Sequence, residues 1–185
     1  MSQLASRGQL RASFLRWALL IVPVVMLAGF LSGQVAGSTA QNPWFAGLVK
    51  PSIYPPPAAF GIVWSILYLM MGVALTLVVT ARGARGRGAA VAMFIVQLLL
   101  NLAWSPLFFA AHRITAALYL LVALDIAVLL TVVMFWRVRR NAALLLLPYF
   151  GWVLFATVLN WQFLVANPDA DGVGAPAAAT TRIRL

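Results

Sequence analysis

The chain has no cysteine and no glutamate, one lysine, one histidine and three aspartates. Without cysteine there are no disulfides, no thiolate nucleophile and no thiolate metal site. One histidine and scattered aspartates supply neither a cluster of metal ligands nor a paired acid and base. No P-loop, GxSxG, HExxH or GxGxxG context occurs, so ordinary hydrolase, kinase and dehydrogenase chemistry has no support. Charge itself is scarce: 9% of the 185 residues are charged, against about 25% in soluble domains. With 64% hydrophobic residues, too little polar surface remains to clothe a water-soluble globule. The formal net charge is +10, but the arginines sit in short clusters between apolar runs. That is how membrane proteins place them, and it argues against a nucleic-acid partner.

What is present in abundance is long apolar sequence. Five runs reach the roughly 20 residues that a spanning helix needs: about Phe14–Ala36, Ala58–Thr80, Ala89–Ala110, Ile114–Trp136 and Asn141–Val165. None alternates as a barrel strand would. The expected fold is therefore all-α, an integral membrane bundle of five transmembrane helices. A segment 1–13 precedes the membrane domain 14–166, and 167–185, rich in Ala, Gly and Pro, reads as a disordered tail. The flanks of the first run also fit a cleavable signal peptide, although the run continues to Ala36, long enough to span. With five spans, Arg7, Arg11, Arg16, Arg82, Arg85, Arg87, Arg137, Arg139 and Arg140 share one side, and Lys50, Arg113, Arg182 and Arg184 the other. The positive-inside rule then puts the N-terminus in the cytoplasm, in a bacterial membrane.

Polar and aromatic residues fall in stripes. Gln97, Asn101, Trp104 and Phe108 follow spacings of 4, 3 and 4, one face of span three. Tyr149, Trp152, Ala156 and Asn160 share a face of span five, and Trp64 and Tyr68 lie one turn apart in span two. Lipid cannot satisfy amides or an indole, so these stripes should turn inward, either to join helices or to line a pocket for a flat, largely apolar ligand. Gly29, Gly33 and Gly37 form a small-residue stripe in span one, for packing inside one bundle or at a dimer seam. Asp125, the one carboxylate inside a span, is expected to face the bundle interior in its uncharged form, given the cost of a charge at that depth. The stretch "KPSIYPPP", residues 50–57, carries four prolines beside the only lysine. Proline fixes φ and removes a donor, so the segment is stiff and extended. It either folds over the helix ends as a lid or only starts span two.

Together, "NPWFAGLVKPSIYPPPAAFGIVWSILYLMMG", "QLLLNLAWSPLFF" and "PYFGWVLFATVLN" resemble the TspO/MBR family of tryptophan-rich sensory proteins and translocator proteins, from about Pro43 to Asn160. The resemblance implies a five-helix bundle, usually a homodimer, with a pocket beneath the first long loop. It implies a tetrapyrrole ligand, protoporphyrin IX or haem, or another flat apolar molecule, and no required cofactor or metal. Residues matching the family's motifs are Trp44, Lys50, Pro51, Pro55 and Pro56 in the loop, Trp64, then Asn101 and Trp104, then Tyr149, Trp152, Ala156 and Asn160. Lys50 would pair with a ligand carboxylate such as a porphyrin propionate. Trp64 and Trp152 match a pair linked in some bacterial members to light- and oxygen-dependent porphyrin breakdown. This chain departs from many relatives in having Pro57 and Ala58 where a basic residue and a tryptophan follow the double proline. It also lacks the basic residue of the animal members' sterol motif near the end of span five. The expected function is porphyrin binding in sensing, transport or disposal. The alternatives are photo-oxidative porphyrin degradation, or a scaffold that binds lipids, sterols or protein partners.

Overall fold

The computed structural model describes residues 6–173. The described chain is helical: α1 (Arg7–Val35), α2 (Pro43–Gly47), α3 (Pro57–Val79), α4 (Arg87–Ser105), α5 (Ile114–Val138) and α6 (Arg140–Ala166). A π-helical turn, Pro106–Ala110, extends α4, and a 3₁₀ turn, Pro168–Ala170, follows α6. Five of these helices are long and apolar enough to cross a membrane. All five expected spans are found, four of them within about two residues of their predicted limits. The largest shift is at the start of α1. Ser6 accepts a hydrogen bond from the Gln9 amide (3.2 Å) while Gln9 Oε1 accepts from the Ser6 amide (2.8 Å). This reciprocal cap satisfies two amides of the first turn and lets the helix begin seven residues before Phe14.

The helices form a ring in which α1 packs on α3, α3 on α6, α6 on α5 and α5 on α4, with a sparser seam between α4 and α1. Lipid offers no hydrophobic force between helices, so close van der Waals approach does the work. Small residues supply it on α1 and α3. A methyl added at Gly72 would lie 2.9 Å from Val22 Cα, and one at Gly29 would lie 2.2 Å from the Tyr68 ring. The glycine stripe of α1 thus turns, at Gly29, into the bundle.

Proline shapes the end of α4. Pro106 has no N–H to give the carbonyl four residues back, which belongs to Leu102. Ser32 Oγ of α1 donates to that carbonyl instead, at 2.6 Å. The register then widens, and the Ala111 amide reaches the Pro106 carbonyl at 2.9 Å. His112 closes the turn with φ 55° and stacks on Trp44 at 4.4 Å.

Two buried clusters result. One, around Met71, Phe94, Leu124, Phe135 and Leu146, fills the half of the bundle toward the arginine-bearing loops. The other, around Trp44, Phe45, Phe108, Ile114 and Phe163, lies beneath the segment joining α1 to α3. That segment is fastened at two points. Asn42 caps α2 at the Phe45 amide (3.1 Å) and donates to the carbonyls of Gly37 (3.2 Å) and Phe109 (3.4 Å). Asn167 pairs with both backbone groups of Val49, at 2.7 and 3.0 Å. The residues after Asn167 are placed as well. Gly172 donates to the His112 carbonyl (2.7 Å), and Asp171 Oδ1 accepts from the Thr115 amide (3.3 Å). This is a correction to the reading of a tail from Asn167 onward: side-chain pairing with a loop backbone leaves no trace in composition. Residues 1–5 and 174–185 of the expected terminal segments, with Arg182 and Arg184, lie outside the described residues.

Gly72→Ala forces α1 and α3 apart and should cost about 1–3 kcal/mol. Gly151→Ala meets nothing within 4 Å and should gain up to about 1 kcal/mol from helix propensity. Thermal unfolding of the two variants in the same detergent checks the opposite signs.

Candidate functional site

A cavity of about 760 Å³ lies between the two clusters, under the α1–α3 segment. Helical spacing aims its walls. On α3, Phe60, Trp64 and Tyr68 recur every four residues and present their rings to it. On α4 the wall is Asn101, Trp104, Ser105 and Phe108, and on α6 it is Trp152, Ala156 and Asn160. Phe45 and Tyr54 come down from the covering segment, and Gly33 and Gln34 complete the α1 side. The cavity reaches the outer surface beside α1, where the lining residues Leu27 and Phe30 are 57% and 60% exposed.

The lining rings pair with one another along the walls. Trp64 stacks on Tyr68 (5.3 Å), Trp104 stacks on Phe108 (5.2 Å), and Phe60 meets Trp152 edge to face (5.9 Å). Hydrogen bonds between helices lock the polar members. Tyr68 Oη donates to Asn101 Oδ1 at 2.7 Å, and Trp104 Nε1 donates to Asn160 Oδ1 at 3.2 Å. Asn160 Nδ2 in turn donates to the Ile114 carbonyl at 3.0 Å, carrying the chain to α5. One layer farther in, Tyr149 Oη donates to Gln97 Oε1 at 2.9 Å. Such pairing is what buried polar groups require.

Of the polar and aromatic stripes read from spans two, three and five, eight residues line the cavity together: Trp64, Tyr68, Asn101, Trp104, Phe108, Trp152, Ala156 and Asn160. Gln97 and Tyr149 lie behind that wall, both almost fully buried. The loop residues are placed differently. Trp44 is buried in the roof against His112 and Phe108, and its neighbour Phe45 faces the cavity. Pro51, Pro55 and Pro56 are absent from the lining, whereas Tyr54 and Pro57 belong to it. Lys50 does not reach the cavity. Its Nζ donates to the carbonyls of Phe45, Leu48 (2.8 Å) and Ala46 (3.4 Å) at the end of α2, and lies 4.5 Å over the Phe45 ring. Partial burial there lowers its pKa below 10.5. Helix-end carbonyls attract a cation, and a one-turn helix five residues upstream had no signal in the sequence reading. Phe60 and Phe163 were missed although they extend the α3 and α6 stripes by one turn each. Tyr54 had no periodic signal. Asp125 sits half-buried at the α5–α6 seam, where Thr157 Oγ1 donates to its Oδ2 at 2.8 Å.

Comparison with known proteins agrees with this geometry. The model of the TspO/MBR family matches residues 20–166. The chain belongs to the TspO/MBR family. Among its relatives, the tryptophan-rich protein TspO of Archaeoglobus fulgidus is 39% identical over 143 residues, 77% of this chain and 92% of that one. The tryptophan-rich protein TspO of Chlorobaculum tepidum is 39% identical over 150 residues, 80% and 94% of the two chains. The human translocator protein is 41% identical over 120 residues, 64% and 71% of the two chains. Family and apolar helices together make this TspO/MBR protein a multi-pass integral membrane protein.

The Trp104–Asn160–Ile114 chain supplies a test. Asn160→Ala leaves the half-buried Trp104 indole N–H without its partner and removes the side-chain bond to the Ile114 carbonyl, at a cost of about 1–3 kcal/mol. The melting temperature in detergent should fall by several degrees. Trp104→Phe, which leaves Asn160 its Ile114 partner, should cost less.

Proposed function

We propose that this TspO/MBR protein binds a tetrapyrrole, protoporphyrin IX or haem, in the cavity beneath the α1–α3 segment, and serves porphyrin sensing, transport or disposal. The observation that carries this reading is one cavity of about 760 Å³ walled by indoles and phenols from several helices. The volume falls within the range of small-molecule sites, and flat aromatic walls favour a flat guest. Polar side chains lie at one end: Gln34, Ser38 and Thr39 face the cavity under the covering segment. A porphyrin entering with its propionates toward that end leaves its apolar edge among Trp64, Trp152 and Phe60. Lys50, engaged with α2, plays no part in this pose. Nine arginines flank one end of the spans, against Lys50 and Arg113 among the described residues at the other, which supports a cytoplasmic position for the arginine-bearing loops in a bacterial cell.

A second reading has its own support, since Trp64 and Trp152 line the same cavity. A porphyrin held there touches both, as photo-oxidation by light and dioxygen through these indoles requires. Illumination of the complex should bleach the Soret band faster than in free pigment, and Trp152→Phe should slow it. Bleaching at the free-pigment rate removes this reading and leaves binding intact.

Binding itself is tested by titrating protoporphyrin IX against tryptophan fluorescence in detergent. Trp64→Ala with Trp152→Ala should weaken affinity more than tenfold. Lys50→Ala should change it less than threefold. A double variant that binds like wild type would remove the cavity as the site.

A further inference from the structure

The arginine-bearing end of the bundle lacks counter-charge. The chain's three acidic side chains are Asp125, Asp169 and Asp171. Asp169 and Asp171 follow α6, at the opposite end. Asp125 is thirteen residues short of the end of α5, about 20 Å along the axis. No acidic side chain is therefore at hand for the arginines around the start of α1, the α3–α4 turn and the α5–α6 turn. Some of them find other partners. Arg87 donates to the Val79 carbonyl (3.4 Å), and Arg140 lies 5.7 Å over the Trp136 ring.

Arg16 and Arg82 differ in converging on one place. They come from separate elements, α1 and the turn after α3, and share a cleft of about 310 Å³ with Ser13, Trp17 and Leu20. The antiparallel α1–α3 register explains this. Close approach of Gly29 to Tyr68 and of Val22 to Gly72 sets Ser13 and Arg16 level with the last turn of α3 and Arg82. Arg16 lies nine residues into α1, about 14 Å from its start, and its side chain turns back toward the loops. Its Nε donates to the Ala12 carbonyl at 3.3 Å, the snorkelling posture of a cation at a membrane boundary. In the other direction the cleft runs into an apolar track. Leu20, Val24, Leu27 and Leu31 follow spacings of 4, 3 and 4 on α1 and are 55–58% exposed. Two converging guanidiniums, a hydroxyl, an indole and an apolar track match the phosphate, glycerol and acyl chain of a phospholipid.

We propose that this cleft binds one anionic phospholipid, its phosphate between Arg16 and Arg82 and an acyl chain along the α1 track. Affinity comes from the charge pair, and the apolar track selects a lipid over a soluble phosphate. The arginine end of the site shares no residue with the ring-lined cavity, whose mouth the track passes at Leu27, and its charge pair stands whatever that cavity binds.

Native mass spectrometry of the full chain in detergent tests it, with dioleoylphosphatidylglycerol as probe and dioleoylphosphatidylcholine as the neutral control. The wild type should retain one phosphatidylglycerol in preference to phosphatidylcholine. Arg16→Gln with Arg82→Gln should weaken that retention about 25-fold, at about fivefold per arginine. Arg137→Gln with Arg139→Gln removes the same charge elsewhere and should change it less than threefold. Arg16→Lys with Arg82→Lys should hold within a few fold, which also reports that the altered protein is folded. Equal retention by wild type and the Arg16/Arg82 double glutamine variant overturns the site. So does equal loss in the two double glutamine variants, which would mean diffuse charge. Displacement of the lipid by an equal concentration of glycerol phosphate would instead assign the cleft to a soluble phosphate.

Discussion

The bilayer core offers no water to a stranded donor or acceptor. Much of this bundle's architecture follows from that single restriction. Tyr68 meets Asn101, Tyr149 meets Gln97, and Trp104 meets Asn160, which itself reaches Ile114. These pairs tie α3 to α4, α4 to α6 and α6 to α5. Because these side chains find their partners on a different helix, the hydrogen bonds also fix how the aromatic rings beside them are turned. The cavity walls are a by-product of satisfying polar groups, and they inherit the rigidity of that pairing.

The covering segment obeys a different logic. Stiffness from its prolines limits its conformations, but its position is set by two asparagines. Asn42 holds it to the end of α4, and Asn167 holds it to the end of α6. Lys50 contributes by closing the carbonyl end of α2. The roof thus presents Phe45 and Tyr54 inward while Trp44 anchors it from behind. Charge is kept out of the cavity wall at this end, and hydroxyls and an amide face it instead.

Much of this was legible in the sequence wherever a helix imposed a period. Asn101, Trp104, Trp152, Ala156 and Asn160 could be placed on common faces because spacing of 3 and 4 is what a helix face requires. The limits of the spans followed from runs of apolar residues. Legibility failed where the chain leaves regular structure. Which ring of "NPWFAG" turns inward depends on the rotation of a one-turn helix, and Phe45 takes the lining place expected of Trp44. Tyr54 enters the cavity through a turn with no repeating pattern. Asn167 organises its surroundings through backbone groups of Val49, more than a hundred residues away, and nothing local announces it. The stripe of glycines on α1 was readable as a place of close approach, but its partner, Tyr68, was not.

The π-helical turn at Pro106 has an evolutionary implication. Ser32 donates to the carbonyl that proline leaves vacant, so the two positions are thermodynamically coupled across two helices. Restoring an amide at 106 makes the serine hydroxyl redundant, and deleting the hydroxyl orphans the carbonyl only while proline is there. Changes at the two positions are therefore non-additive, and drift at one is constrained by the state of the other.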